Sequence, residues 1–266
     1  MQERFDLSQR RVCRALGFAR STQRYERRLR EGEDALVKEL KRLSRESPRY
    51  GYRRIYALLR QSGWNVNRKR VQRLWREHGL KVPARVKKRR RAVGGGSKRL
   101  RASTVNECWC YDFVFDQTED GRILKILPIL DEFTRECLTI RVGRTLNAEA
   151  VIQALEDLFL TRGAPKYLRS DNGPEFIAEA VKSWLRASGV QTVYIQPGSP
   201  WENPYSESFN SRLRDEVLNR EVFGSRLEAK VILEDYRQHY NETRPHSSLG
   251  YQTPQQARLK AERKAA

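Results

Sequence analysis

The chain predicts an α/β fold, a mixed five-stranded sheet with flanking helices, preceded by a basic all-α region of helix-turn-helix proportions. Three observations carry this. Amphipathic helical segments broken by glycine fill the N-terminal third, and short apolar strand-like runs alternate with helical ones after Arg101. The positive charge is also confined to one end. Residues 1–101 hold 32 Lys or Arg against 9 Asp or Glu, net +23 (32 − 9), and residues 102–266 hold 21 against 24, net −3 (21 − 24), which together recover the formal +20.

So local an excess is the electrostatic footprint of polyanion binding, because Lys and Arg displace condensed counterions from phosphates. The bland alternative is a solvated basic face. A chain of 266 residues with 38% apolar content can build one domain of ordinary size and one or two small ones. No stretch approaches the roughly 18 continuous apolar residues of a membrane span, and MQERFDLSQRR lacks a signal-peptide core, so a cytoplasmic protein is expected. Cys13, Cys108, Cys110 and Cys137 form no paired CxxC framework, and reduced, packed thiols are expected rather than a zinc site.

In the basic region, Ser8 is placed as the cap of a short helix with Val12, Ala15 and Leu16 on one face, broken by Gly17. Ser21 is placed as the cap of a second helix running through Tyr25 and Leu29. A second unit follows, with Ile55, Leu58 and Leu59 on one helix, a turn at Gly63, and a helix from Asn67 that buries Val71, Leu74 and Trp75 and ends at Gly79. On that last helix Arg68, Lys69, Arg73 and Arg76 fall largely away from the apolar stripe, where they can meet phosphates or base edges. KKRRRAVGGGSKRLR at 87–101 reads as a linker. Its glycines give flexibility, and Lys87, Lys88, Arg89, Arg90 and Arg91 are expected to track a DNA backbone; a passive tether is the alternative.

Aromatic and β-branched residues make WCYDFVFD (109–116) the first strand, ILKILPIL (123–130) the second after an Asp-Gly turn, and CLTIRV (137–142) the third. Asn147 caps a helix with Val151, Ile152, Leu155, Leu158 and Phe159 at helical spacing, stopped by Gly163 and Pro165. KYLRS is the fourth strand. A helix over Glu175–Gly189 is expected to point Ile177, Val181, Trp184 and Leu185 inward, and QTVYIQ (191–196) is the fifth strand. The order is βββαβαβα.

Asp112 is placed within the first strand, and Asp171 at the end of the fourth before an Asn-Gly-Pro turn. From Asn203 onward helical spacing puts Glu207, Asn210, Ser211 and Arg214 on one side, and Phe209, Leu213 and Val217 on the other. Each acid alone has a structural reading, but three gathered carboxylates are what hard Mg²⁺ needs, and two such ions can clamp the attacking and leaving oxygens of a phosphodiester.

YGYRRIYALLR, VQRLWREHGLKV, WCYDF, LDEFTRE, SDNGPEF, the ESFN helix and the tail YNETRPHSSLGYQTP together resemble the DDE transposases and retroviral integrases, in particular the OrfB proteins of the IS-three family of bacterial insertion sequences. The resemblance spans nearly the whole chain. It implies an RNase H-like core and a triad of Asp112, Asp171 and Glu207 with 35 residues between the last two (207 − 171 − 1). It further implies a basic residue seven places after the Glu, here Arg214, and two Mg²⁺ ions bridged by Asp112, with Mn²⁺ the expected substitute.

On this reading residues 1–84 are the DNA-binding region, 85–103 the linker, 104–221 the catalytic core and 222–266 a C-terminal helical extension. The implied partners are double-stranded DNA, both terminal inverted repeats and target, a homo-oligomer on DNA, and an upstream OrfA product, separate or fused by frameshifting. The implied location is the bacterial cytoplasm, at the nucleoid. A structure-specific nuclease of the same fold and a non-catalytic DNA-binding repressor are the rivals. One departure stands out: Pro128 lies in a strand paired on both sides, where it cannot donate to the ladder, and a bulge is expected there.

Overall fold

The predicted strands assemble into one mixed sheet, with the first of them broken in two. The computed structural model describes residues 8–25, 32–82, 101–195 and 202–265, so the basic run Lys87–Arg91, Leu29 and Gln196 lie outside the described residues. β1 (Cys108–Tyr111) and β2 (Val114–Gln117) both pair antiparallel with β3 (Ile123–Asp131), which also carries β4 (Cys137–Gly143). β5 (Tyr167–Ser170) lies parallel to β1, and β6 (Gln191–Tyr194) lies parallel to β5.

β1 and β2 are one interrupted strand. Tyr111 pairs with Ile129 and Val114 with Ile126, so the same register runs through the gap and sets Asp112 opposite Pro128. Proline has no N–H to give across the ladder, and the pairing lapses at that point. Asp112 is therefore outside regular strand, not within it as the sequence pattern alone indicates. The irregularity against β4 falls between Ile129 and Leu130, one residue beyond Pro128, which itself stays opposite Ile140.

Alternation along the strands builds a core on each face. Trp109, Tyr111, Leu127 and Ile129 pack with Val151, Leu155 and Leu158 of α6 (Ala148–Arg162) and with Phe176, Val181 and Leu185. Cys110, Val114, Leu124 and Ile126 pack with Phe209 and Leu213 of α9 (Pro204–Leu213) and with Leu233, Tyr236 and Tyr240 of α10 (Arg226–Glu242). Helix α10 is thus part of the hydrophobic core on that face.

The segment expected as one helix after Pro174 is two, α7 (Pro174–Ile177) and α8 (Glu179–Ala187), because Ala178 is extended at φ −53°, ψ 133°. That break puts Phe176 inside at 1% exposure and Ile177 outside at 39%, reversing the expectation for Ile177. Asn147 caps α6 as predicted, accepting from the Ala150 N–H at 3.1 Å.

Backbone contacts divide the chain into Met1–Glu46 and Ser47–Ala266. In the first unit, Gly17 ends α1 (Gln9–Leu16) at φ 67°, but Val12 and Cys13 are the buried residues, while Ala15 and Leu16 are exposed. Ser21 lies inside α2 (Arg20–Gln23), whose cap is Ala19. A further helix, α3 (Glu33–Glu46), lies beyond those expected; its Leu36, Leu40 and Leu43 stand at helical spacing and are buried. In the second unit, α4 (Tyr52–Gln61) and α5 (Arg68–Glu77) flank the Gly63 turn as expected, burying Ile55, Leu59, Val71, Leu74 and Trp75; Leu58 is only half-buried. Asn67 caps α5 through the Lys69 N–H at 2.8 Å. The chain closes with a 3₁₀ turn (Ser247–Leu249) and α11 (Pro254–Ala265).

Candidate active site

Asp112 shares the parity of Cys110 and Val114, so it faces the layer that holds α9. Two asparagines two helical turns apart tie that helix to the strand break. Asn203 donates to the Tyr111 carbonyl at 3.1 Å, and Asn210 donates to Asp112 Oδ2 at 3.1 Å. Glu207, between them, is exposed on the helix surface. The sequence pattern places Asn210 on the polar face but assigns it no role, because its partner lies 98 residues away.

Asp171 follows β5 directly, and its Oδ1 accepts the Gly173 N–H at 3.1 Å in an Asx-turn. Only glycine fits here without a shift, since a Cβ at 173 would stand 3.2 Å from Asp171 Oδ1 and 3.3 Å from the Phe176 ring. Aromatic packing fixes this turn against the strand break: Phe176 stacks on Phe113 at 4.7 Å and meets Tyr111 edge-on at 4.3 Å. Lys125 closes the same corner. Its ammonium pairs with Glu175, donates to the Leu146 carbonyl at 3.2 Å, and sits 4.0 Å over the Phe113 ring.

Asp112 feels the other two acids. Burial and then the neighbouring Asp171 charge push the Asp112 carboxyl up to about 6, with Glu207 adding to the rise; the Phe113 N–H and Asn210 oppose it. Asn210 Oδ1 is buried without a hydrogen-bond partner beside this group. Among the described residues no group of three or more Asp, Glu, His or Cys side chains is placed to hold a metal ion. The fit to a divalent cation rests instead on an all-oxygen donor set, on a carboxylate whose charge is held at a cost that a cation would relieve, and on an orphaned amide oxygen aimed beside it.

Two further acids of the same strands make local hydrogen bonds. Asp131 is buried and accepts from the Thr134 hydroxyl at 2.6 Å, and Asp116 accepts the Gln117 N–H at 2.8 Å. The four cysteines are free and buried.

Beyond Leu213 the helix widens into a π-helical turn, Arg214–Leu218. Arg214 is exposed and donates to the Phe115 carbonyl at 3.1 Å, so the ion pair with Asp215 or Glu216 that sequence proximity offers is not made. Those acids belong to a separate network. Asp215 takes Arg49 at 2.6 Å, while Glu216 takes Arg244 at 2.7 and 2.9 Å, lies 3.8 Å from Arg54, and accepts from Tyr236 at 3.4 Å. Tyr50 contacts His239 at 3.0 Å. The segment leading into α4 is thereby fastened to the turn that follows the Glu207 helix, which no local sequence pattern shows. On α5, Arg68, Lys69 and Arg76 are exposed, while Arg73 is half-buried and pairs with Glu77 at 3.0 Å.

Comparison with known proteins agrees with this architecture. Integrase core domain models match residues 102–200 and 188–254, and an HTH-like domain model matches 31–89. The chain is 40% identical over 256 residues to an uncharacterized 39.2 kDa protein of insertion element IS476 from Xanthomonas euvesicatoria, covering 96% of this chain and 74% of that one. It is 39% identical over 254 residues to the 31.7 kDa protein of IS407 from Burkholderia multivorans, covering 96% and 91%. The transposase InsD of IS2 from Escherichia coli is 30% identical over 227 residues, covering 79% and 74%. The simian T-cell lymphotropic virus intasome, solved in complex with PP2A regulatory subunit B56 gamma, shares the fold at a TM-score of 0.52 and 13% identity, covering 83% of this chain and 74% of that one. Sheet order, the two-sided core and these relatives lead to one conclusion: the chain belongs to the integrase-core transposases of the IS-three insertion-sequence family.

Proposed function

We propose that the protein cuts a DNA strand at the end of its element with water and then joins the freed 3′-OH to another phosphodiester, with Asp112, Asp171 and Glu207 as the catalytic and metal-holding acids. What supports this is geometry: Asn210 of the Glu207 helix holds the Asp112 carboxylate at the strand break, and the Asp171 turn is packed against the same break through Phe113 and Phe176. Two Mg²⁺ ions, or Mn²⁺ in their place, would supply activation of the attacking oxygen and neutralisation of the leaving one when bound. Asp112, Asp171 and Glu207 are the residues that would hold them. Asn210 keeps the Asp112 carboxylate turned toward α9, and the Phe113–Phe176 stack holds the Asp171 turn beside it. In-line displacement leaves the protein mainly to position groups and offset charge.

Arg214 is proposed to leave the Phe115 carbonyl and meet a DNA phosphate. Arg68, Lys69, Arg73, Arg76 and Lys87–Arg91 are proposed to hold duplex DNA, terminal repeats and target alike. The domain division is 1–84 for DNA binding, 85–103 as linker, 104–221 as catalytic core and 222–266 as extension. A homo-oligomer assembled on DNA, an OrfA partner, and the bacterial cytoplasm at the nucleoid complete the reading. No described helix is long and apolar enough to cross a membrane.

The test is cleavage and joining of terminal-repeat DNA in Mg²⁺ by Asp112→Asn, Asp171→Asn and Glu207→Gln. Each is expected to lose both reactions while still binding DNA, and a variant with near-wild-type joining removes its residue from the triad.

A further inference from the structure

The acidic core carries a basic groove of its own. It lies between the turn joining β3 to β4, the start of α9 and the last helix, and encloses about 550 Å³. Four cations line it: Arg101, Arg135, Lys260 and Lys264. The one lining carboxylate, Glu132, is buried and bonded to Arg169 at 2.6 Å, so it cancels little of that charge.

The lining of α11 follows helical spacing. Ala257, Lys260, Ala261 and Lys264 share one face, so two small residues form a floor between two ammonium groups. The other basic residue in the middle of this helix, Arg258, is turned away and bound to Glu136 at 3.2 Å and Glu262 at 2.9 Å. Among the described residues neither Lys260 nor Lys264 is held in an ion pair.

Arg135 has a conformation that a non-glycine residue rarely adopts, with φ 66°. Its guanidinium carbon lies over Tyr205, 3.7 Å from the ring centre, and its Nη1 is buried without a hydrogen-bond partner. Tyr205 stands two residues before Glu207, in the first turn of the same helix. A second cavity of about 230 Å³, whose lining includes Arg135, Tyr205, Ser208, Ser248 and the carboxylate-bearing Asp131, adjoins the groove across this stack.

Cations without partners, beside an arginine–aromatic platform, are the chemistry that recognises a phosphodiester strand. We propose that this groove is a second DNA-binding track, in which Lys260, Lys264 and Arg135 hold the phosphates of a strand running alongside the catalytic helix. The proposal rests on the transposase reading above and adds a DNA contact on the acidic part of the chain.

The test uses the full-length protein and a labelled duplex carrying the terminal repeat, titrated across a range of salt. Lys260→Gln with Lys264→Gln, both exposed on the terminal helix, should lower the slope of log affinity against log salt by about 1.8, roughly 0.9 per lost phosphate contact, with an unchanged melting temperature. Arg135→Ala should lower affinity in the same direction. An unchanged slope in the double variant overturns the proposal, as does a shift only in self-association of the protein without DNA. Joining by Asp112→Asn, assayed on the same duplex, separates the two readings: if it is lost while the slope stays unchanged, the groove proposal alone has failed.

Discussion

Pro128 stands directly across the sheet from Asp112. The register of Tyr111 with Ile129 and of Val114 with Ile126 leaves no other partner, and the ladder opens where the proline cannot donate. The Asp112 carboxylate therefore sits at a lapse in the sheet's own hydrogen bonding, with Asn210 taking hold of it from the helix.

Replacing Pro128 by alanine restores an N–H at this point. The variant should keep or gain thermal stability while strand joining falls about tenfold or more, since small misplacements of catalytic groups are costly. Joining on pre-cut terminal DNA and a melting curve check it; wild-type joining would show that the gap is incidental.

Asp112 should make the metal-free protein more stable in mild acid than at neutral pH, as far as this group contributes. Its folded carboxyl is raised to about 6 from 3.8, so the folded state holds a proton that the unfolded state has lost between those values. Stability is then fully present below the unfolded value, is lost as pH rises through about 6, and stays low above it, by roughly 3 kcal/mol. Asp112→Asn should abolish this dependence and raise the melting temperature of metal-free protein at pH 7. Urea denaturation from pH 4 to pH 8 decides it.

Arg244 and Glu216 are 3% and 8% exposed, so removing one leaves a buried charge without its partner. Arg244→Met should cost about 3–5 kcal/mol in urea unfolding. By the same logic, deleting residues 1–46 should leave the second unit folded, whereas deleting 1–101 strips Arg49, Tyr50 and Arg54 from this network and lowers its melting temperature. Equal stability of the two truncations would mean that the network contributes nothing.

Arg214→Ala should scarcely move the melting temperature, because the exposed guanidinium makes one bond to a backbone carbonyl, worth about 1 kcal/mol. Joining of terminal DNA should fall several-fold. A cysteine placed at 214 should crosslink to DNA ends, and normal joining by the alanine variant without any crosslink would return this residue to a structural tie.

What the sequence determined by itself is what short-range periodicity can encode. Strand-forming composition and helical spacing after Asn203 set the order of elements along the chain and the polar side holding Glu207 and Asn210, so these were legible. Caps at Asn67 and Asn147 were legible for the same reason, since each acts within three residues. The tertiary structure alone decided the rest. The lapse at Asp112 depends on a proline 16 residues away in another strand, the break at Ala178 on where Phe176 finds its core, and the Arg49–Asp215 tie on groups 166 residues apart. Contacts of that span have no periodic trace in the chain, because only the assembled sheet and its covering helices bring the partners within reach.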